Sequence, residues 1–290
     1  MKSSRILAIG GAHIVRHGQA TGSFAPGEFN PGVMREDVGG DAFNAARMAV
    51  QLGGSASLIS IRGGDIAGET VSRAIAAEGI EDLSVVFLDR RTPSRTALLD
   101  SDHRLIAGLD DTALYDLVFP KQMRRSKMRE VLARSDAIVC DADLPAAALE
   151  RLAALAAGKP LFAVAVAASS TRIRRFASLL PEFACLFLKR EGAVALSGGS
   201  AQDEITSIAE RLRERGLACG IIMEDDGTTV GFDRETLFSI RSLDPAYSLE
   251  TLAGATIVAL MRGLPIREAL SGIGAVREAG AHLPARKPAS

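Results

Sequence analysis

The sequence has no tryptophan, two tyrosines and only three cysteines in 290 residues. Cys140, Cys185 and Cys219 are far apart in the chain and lie in apolar segments, which is typical of small buried side chains rather than of a metal site or redox pair. An excess of positive charge is also missing, because 34 Lys and Arg face 35 Asp and Glu. Since nucleic-acid binding needs clustered positive charge, this balance excludes a nucleic acid as the expected partner.

Long hydrophobic runs are absent as well. The longest, residues 161–168, follows Gly158-Lys159-Pro160 and falls well short of the roughly 18–20 residues that cross a bilayer. The apolar stretch near the N-terminus breaks at Gly10 and Gly11, too early for a secretory signal peptide. We therefore expect a cytoplasmic protein without a membrane partner.

Short β-rich runs alternate with Ala-, Leu- and Arg-rich helical stretches along most of the chain. This alternation predicts a doubly wound α/β fold with a mostly parallel sheet and helices on both faces. The length favours one domain over residues 1–290. The predicted strands are 6–9, 57–61, 137–140, 161–166, 185–188 and 220–223, and the predicted helices are 42–52, 68–78, 145–157, 170–179, 202–215, 250–262 and 266–279.

Two segments interrupt the alternation. Residues 13–38 are rich in Gly, Pro and polar residues, and residues 92–110 contain a strand, a turn and a second strand. Segments of this kind beside a doubly wound sheet can cover the carboxyl ends of its strands, where such sheets bind ligands. We expect them to form a small β lid, the alternative being an ordinary surface hairpin and loop.

A Gly-Gly pair precedes the first predicted helix, and a residue with a polar side chain follows it one turn later. Gly39 and Gly40 allow the backbone to approach a ligand closely, and Asn44 offers both a donor and an acceptor to hydroxyl groups. The residues by themselves leave an alternative interpretation open, in which the glycines only form a turn and Asn44 caps the helix. This stretch, Gly39-Gly40-Asp41-Ala42-Phe43-Asn44-Ala45-Ala46 followed by Leu52-Gly53-Gly54, resembles the first signature of the PfkB (ribokinase-like) carbohydrate kinases.

Further segments resemble the pseudouridine-kinase-like branch of the same family and follow in the same order: Ile9-Gly10-Gly11-Ala12, Asn30-Pro31-Gly32, the run from Thr92 to Asp100, and Asp141-Ala142-Asp143-Leu144-Pro145. The resemblance implies a ribokinase-like Rossmann-type core with a β lid, ATP with Mg²⁺ as cofactors, and phosphorylation of a sugar or nucleoside hydroxyl. It also allows a homodimer formed through the lid. The implied substrate-binding residues are Gly39, Gly40, Asp41, Asn44 and His13, and the implied nucleotide-binding residues are Lys189, Asp225 and Gly227.

The second family signature is strongly altered. It carries a Gly-Ala-Gly-Asp run whose backbone N–H groups hold the transferred phosphoryl and whose Asp is the base, and the corresponding residues here are Tyr247-Ser248-Leu249-Glu250. Side chains at both glycine positions are expected to close this anion hole, and a bulky side chain can occupy the place of the anion. Glu250 is the catalytic candidate, one methylene longer than Asp, and could instead be an ordinary first-turn acid of its helix.

Other family positions are altered too. The family's Asn and Glu in the helix after residues 185–188 fall on Lys189 and Gly192, and Asp225 adds negative charge where a polyphosphate would lie. The early Asp that binds substrate hydroxyls falls on Val15, which cannot accept a hydrogen bond. His13, two residues earlier, could meet a different ligand or be a solvated lid residue. No metal-ligating residues are assigned.

Two functions remain open from the sequence. The first is a PfkB-family sugar or nucleoside kinase homologue, with a pseudouridine-like substrate as one option, whose phosphoryl transfer is weak or lost. The second is a non-catalytic ligand-binding or regulatory protein, a pseudokinase on the same fold. A dinucleotide-dependent dehydrogenase is excluded, because the run from Gly10 to Val15 lacks the glycine spacing that admits a pyrophosphate.

Overall fold

A computed structural model describes residues 4–166, 168–240 and 248–271. These residues form two main sheets. The strands are β1 Arg5–Ile9, β2 His13–Ala20, β3 Gly32–Gly39, β4 Ser55–Ile59, β5 Ile61–Gly63, β6 Glu81–Asp82, β7 Val85–Phe87, β8 Ser94–Leu99, β9 Leu105–Asp111, β10 Ala137–Asp141, β11 Leu161–Ala165, β12 Cys185–Lys189, β13 Gly220–Met223, β14 Thr229–Phe232 and β15 Leu237–Ile240.

The large sheet has nine strands in the order β15-β14-β13-β12-β11-β10-β1-β4-β6. All neighbours are parallel except β14 and β15, which continue from β13 as antiparallel strands. Strands β10 and β11 are buried along their whole length, as expected of strands covered on both faces. The chain passes from β1 to β4 on one side and places β10 to β13 on the other, so the strand order reverses beside β1.

Helices cover both faces of the large sheet. The helices are α1 Asp41–Gln51, α2 Ile66–Ala77, α3 Ala113–Gln122, α4 Ser126–Arg134, α5 Ala146–Leu155, α6 Ser170–Ile173, α7 Arg190–Ser197, α8 Ile205–Glu214, α9 Leu249–Met261 and α10 Ile266–Ser271. Side chains of α3, α4, α5, α7 and α8 pack in one core cluster, and those of α1, α9 and α10 pack in a second cluster on the opposite face. Helix α2 joins α1 in a third cluster.

The small sheet has the order β3-β2-β8-β9 and comes from the two segments that interrupt the α/β alternation. Strands β2 and β3 pair antiparallel, β2 and β8 pair parallel, and β8 and β9 form an antiparallel hairpin. Arg95 and Asp110 are paired in register on one face of this sheet, and Gly18, Met34 and Leu98 share the other face.

The predicted strands and most predicted helices are confirmed to within a few residues, with three corrections. The strand predicted at 57–61 ends at Ile59 and a separate β5 begins at Ile61. The helix predicted at 170–179 is the short α6 followed by a 3-10 segment, Arg174–Glu182, that contains Pro181. Helices α3, which contains Pro120, and α4 were not among the predicted helices. Helix 266–279 is described only as far as Ser271.

Two of the three cysteines are close together in the structure. Leu186 of β12 pairs with Gly220 of β13. Cys185 and Cys219 each come one residue before these partners and therefore lie side by side. Their side chains are in hydrogen-bond contact, and burial raises the pKa of the Cys185 thiol well above its usual range. All three cysteines are free thiols, and Cys140 and Cys185 are fully buried. The expectation of small buried side chains is therefore confirmed for Cys140 and Cys185, whereas Cys219 is partly exposed.

Candidate functional site

The candidate site lies where β1 and β10 end side by side. Asp141, the last residue of β10, is buried, and its Oδ2 accepts hydrogen bonds from the N–H groups of Gly11 at 2.7 Å and Ala42 at 3.0 Å. Its Oδ1 accepts a third bond from the N–H of Asp143 at 3.0 Å. One carboxylate therefore fixes the turn after β1, the first turn of α1 and the loop after β10. Open α/β sheets bind ligands at this reversal of strand order.

Glycines let these segments approach one another. A Cβ on Gly10 would lie 2.3 Å from Cγ of Asp141, and a Cβ on Gly40 would lie 2.2 Å from the carbonyl oxygen of Gly11. Gly40 also has φ of +127°, which side-chain-bearing residues avoid. A Cβ on Gly39 would lie 2.7 Å from Cγ2 of Val15. The space left by Gly39 and Gly40 is thus taken by other parts of the protein.

Asp41 and Asn44 lie on the first turns of α1. Asp41 is 5% exposed, and its Oδ2 accepts a hydrogen bond from the N–H of Val166 at 2.8 Å. Burial, and then the charges of Glu250 and Asp141, raise the pKa of Asp41 well above its ordinary value. Asn44 is half-buried, and its backbone N–H donates to the carbonyl oxygen of Gly40 at 2.9 Å. The alternative that Asn44 caps the helix is wrong, because the N-cap residue is Gly40.

Glu250 reaches the same edge from the start of α9. The helix begins at Leu249 after the N-cap Ser248, whose hydroxyl accepts a hydrogen bond from the N–H of Thr251 at 3.3 Å. Oε2 of Glu250 is buried and has no hydrogen-bond partner among the described residues. The Leu249 side chain is fully buried in the core cluster of α1, α9 and α10, so the expectation that it occupies the place of the anion is wrong. Tyr247 lies outside the described residues.

An ion-pair network joins the small sheet to this edge. Asp143 is 3% exposed, and its Oδ1 accepts hydrogen bonds from Nη2 of Arg95 and, at 2.9 Å, from Nη1 of Arg172. Asp110 lies within 3.5 Å of Nε of Arg95 and 3.4 Å of Nε of Arg172. No sequence pattern indicates these pairs, because Asp143 is 48 residues from Arg95 and 29 from Arg172.

His13 is the first residue of β2 in the small sheet and is 1% exposed. Its Nδ1 is 3.3 Å from the Tyr115 hydroxyl and 4.0 Å from Oδ2 of Asp143. Burial lowers the pKa of His13 to about 4, so the imidazole is neutral near pH 7. The interpretation of His13 as a solvated lid residue is therefore wrong. Tyr115, which sequence reasoning missed, also bonds the backbone of Ala12 with its hydroxyl.

The three positions expected at the nucleotide lie at the ends of β12 and β13. Nζ of Lys189 is 3.9 Å from Oδ1 of Asp225, which is 86% exposed. Gly227 closes the turn between β13 and β14, with φ of +83° and its N–H bonded to the carbonyl of Glu224 at 3.1 Å. Glu224 itself pairs with Arg190.

These residues fit a magnesium-bound triphosphate poorly. Arg190 is already bonded to Glu224 and to two backbone carbonyls, and Lys189 is the remaining cation at these positions. At Gly192, where the family has a Glu, a Cβ would lie 3.0 Å from Cδ1 of Ile173, so a longer side chain has no room without movement. Ser248 also satisfies one of the first N–H groups of α9 that would otherwise face an anion.

The layered α/β architecture and the crevice beside β1 define a ribokinase-like sugar-kinase fold. Residues 4–238 match the pfkB family of carbohydrate kinases, and the chain belongs to this family. The resemblance inferred from the first signature and from the further segments in family order is therefore confirmed. No helix in the described parts of the chain has both the length and the apolar character needed to cross a membrane.

Individual relatives agree with this assignment. Pseudouridine kinase of Escherichia coli (strain K12) is 24% identical over 218 residues, which are 73% of this chain and 67% of that protein. A carbohydrate kinase structure from Agrobacterium tumefaciens is 33% identical, with a TM-score of 0.80 over 99% of this chain and 94% of that one. Arabidopsis thaliana ribokinase, solved with ribose and ATP, has a TM-score of 0.79 at 17% identity over 100% and 95% of the two chains, which shows the fold.

Proposed function

We propose that this chain binds a sugar or nucleoside in the crevice beside β1, and that its phosphoryl transfer from ATP is weak or lost. The observation that carries the proposal is the start of α9, where a buried carboxylate oxygen of Glu250 has no partner among the described residues and Ser248 caps the helix. The amide of Asn44 on α1 adds a donor and an acceptor for hydroxyl groups. Membership of a carbohydrate kinase family supports a ligand of this class.

The similarity to pseudouridine kinase supports a nucleoside, and the ribose in the ribokinase structure supports a pentose. Both ligands present several hydroxyl donors to carboxylate and amide oxygens. In this proposal Glu250 accepts a hydrogen bond from one ligand hydroxyl and is the group placed to remove its proton. Asp41 lies beside Glu250, and Gly39 and Gly40 shape the wall of the crevice.

Weak transfer is supported by the electrostatics of the same edge. Loss of one oxyanion donor costs about 3–4 kcal/mol of transition-state stabilisation, and Tyr247 and Leu249 replace the two glycines of the family's anion-hole run. Glu250 and Asp225 place carboxylates around the position of a polyphosphate, which opposes its binding. The pairing of Lys189 with Asp225 and of Arg190 with Glu224 supports the alternative of a non-catalytic ligand-binding or regulatory protein.

Thermal-shift measurements with a panel of nucleosides and sugars, each with and without ATP and Mg²⁺, test this proposal. We expect a rise in melting temperature of several degrees with one hydroxyl-rich ligand alone and little further rise with ATP. An Asn44→Ala variant is the binding control and should lose the shift. Rapid ligand-dependent ATP consumption by the unmodified chain would contradict weak transfer, and no shift with any member of the panel would contradict binding.

Glu250→Asp tests whether the length of the acid limits transfer. Reverting Leu249 to Gly as well is a poor test, because Leu249 is fully buried and its removal would open a cavity. If only the acid is misplaced, Glu250→Asp should raise ligand-dependent ATP consumption by about tenfold to a hundredfold. If ATP consumption does not increase, the weak transfer is due to the residues at the nucleotide positions instead.

We also propose that the small sheet acts as a lid and that its outer face pairs with a second copy of the chain. Arg95 and Asp110 on the inner face point to Asp143, whereas Met34 and Leu98 on the outer face are 59% and 38% exposed. Exposed apolar side chains on one sheet face are typical of an interface. Sedimentation of the unmodified chain and of Met34→Glu tests the pairing, and a monomer in both would contradict it.

A further inference from the structure

The crossing of α1 and α9 brings two carboxyl groups together at the site. A Cβ on Gly254 would lie 2.5 Å from Cβ of Met48 and 2.9 Å from the carbonyl oxygen of Ala45, so the helices touch at backbone distance. Asp41 lies one turn before Ala45, and Glu250 lies one turn before Gly254. Both acids therefore lie at the starts of two closely crossing helices, near enough for the charge of Glu250 to raise the pKa of Asp41.

These two carboxyl groups have too few hydrogen-bond donors for two negative charges. Among residues 4–166, 168–240 and 248–271, Asp41 accepts one bond, from the N–H of Val166. Oε2 of Glu250 is buried without a partner in the described parts of the chain. A buried carboxylate oxygen that lacks a donor is costly, and two neighbouring carboxylates in such surroundings reduce the cost by sharing a proton.

We propose that Asp41 and Glu250 share one proton, that Asp41 carries it, and that its O–H donates to Oε2 of Glu250. Asp41 is then a positioning residue for Glu250. The hydrogen bond from Asp41 fixes Oε2 of Glu250 in place, and Oε1 stays available to accept a hydrogen bond from the ligand. The pair carries one negative charge instead of two.

The surroundings of Asp41 decide which acid holds the proton. On β10, Asp141 faces Asp41 with a second carboxylate that opposes its ionisation, whereas Arg95 on β8 favours ionisation from farther away. The N–H of Val166, after β11, also favours the charged form. Burial is the largest influence on Asp41 and favours its neutral form, so the proton belongs on Asp41.

Carbon-13 NMR of the full chain, labelled at aspartate side-chain carboxyls, tests the proton directly. We expect the signal of Asp41 to keep the chemical shift of a neutral acid above about pH 7, where ordinary aspartates are ionised and Asp141, with a pKa of about 7, is itself titrating. Asp41→Asn should remove that signal and still fold, because the amide can accept from Val166 and donate to Glu250. Asp225→Asn, at an exposed acid, is the matched control and should leave the signal in place.

Glu250→Gln gives a second test that does not depend on the first variant. Removing the neighbouring charge should lower the titration midpoint of the Asp41 signal by about one pH unit or more. A signal that titrates as an ordinary aspartate in the unmodified chain, or a midpoint unchanged by Glu250→Gln, would overturn the shared proton.

A consequence for binding rests on the proposed function. Ligand affinity should fall as the pH rises and Asp41 ionises, and it should be independent of this ionisation in Asp41→Asn. The NMR titration needs no ligand. A neutral Asp41 without any ligand binding would therefore contradict the proposed function and leave the shared proton standing.

Discussion

Asp141 and the glycines around it show how single residues shape the crevice. Asp141 holds three backbone N–H groups from three separate segments, and it can do so only because Gly10 and Gly11 bring no side chain into that space. Burial and the charge of Asp143 raise the pKa of Asp141 to about 7, although its three N–H donors favour the charged form. Small residues and one buried acid therefore set the geometry that Asp41, Asn44 and Glu250 depend on.

Gly40→Ala should destabilise the chain by about 1–3 kcal/mol or more, because it combines a positive φ with a contact to backbone. The new Cβ would lie 2.2 Å from the carbonyl oxygen of Gly11, which cannot move without disturbing the turn held by Asp141. Urea denaturation measures the loss. Gly27→Ala is the control, since Gly27 has φ of +82° with nothing within 4 Å of the added Cβ. Equal losses in both variants would mean that only the φ angle matters at Gly40.

At the scale of elements, α9 illustrates what the sequence could and could not provide. Leu249, Leu252 and Ala253 follow the i, i+3, i+4 spacing of a buried helix face, so the inward direction of Leu249 could have been predicted from the pattern. The close crossing with α1 could not, because it depends on Gly254 meeting Ala45 and Met48 across more than 200 residues. The periodicity of apolar residues predicts which face of a helix is buried, but it does not predict which other helix packs against that face.

Gly254→Ala sets two effects of opposite sign against each other. Alanine favours the helical conformation over glycine by about 1 kcal/mol, whereas overpacking a close contact costs about 1–3 kcal/mol. Contacts of 2.5 Å and 2.9 Å, one of them to backbone, make overpacking the larger effect, so we expect a net loss of about 1 kcal/mol in urea denaturation. Gly192→Ala in α7 is the matched control, because its nearest contact is the movable Cδ1 of Ile173 at 3.0 Å. A stabilised Gly254→Ala would contradict the tight crossing.

The ion-pair network is the other connection between elements that can be tested. Asp143→Asn removes the charge that Arg95 and Arg172 share, and breaking a buried pair costs about 3–5 kcal/mol. Asp102→Asn removes the partner of Arg104, where both side chains are well exposed, and should cost at most about 1 kcal/mol. Urea denaturation compares the two. A similar small cost for both would show that the network does not anchor the small sheet.

For the whole molecule, the sequence predicted the layers better than the contacts between them. Strands such as β10 and β11 could be predicted because parallel strands covered on both faces appear as unbroken apolar runs. The positions of Asp41, Asn44 and Glu250 at one edge also follow from helices that begin at the carboxyl ends of strands. Arg95, Arg172 and Tyr115 could not be assigned, because no local pattern indicates which distant acid or histidine each of them meets.

The buried acids together give the whole chain an unusual dependence of stability on pH. The folded-state pKa values of Asp41 and Asp141 are raised, to about 7 for Asp141, so their contribution is fully present below their unfolded pKa of about 4 and is lost as the pH rises through the folded values. His13 has the opposite sign. Burial lowers its pKa to about 4, so its contribution is present above about 6.5 and is lost as the pH falls.

Between about pH 4 and 6.5 the two acids outweigh the single histidine, so the free energy of unfolding should fall with rising pH. The fall should be steepest between about pH 6.5 and 7, because above about 7 Asp141 is ionised in both states and only Asp41 still contributes. Below about pH 4 the chain should lose stability again, because the lowered pKa values of acids such as Asp65, Asp82 and Asp110 favour their charged forms in the folded state. We therefore expect maximum stability near pH 4–5, below the roughly 5–8 common for proteins. Urea denaturation across this range measures the curve, and Asp41→Asn should flatten it on the alkaline side. A maximum at pH 7 or above would mean that these buried acids are ionised at no cost, which their burial opposes.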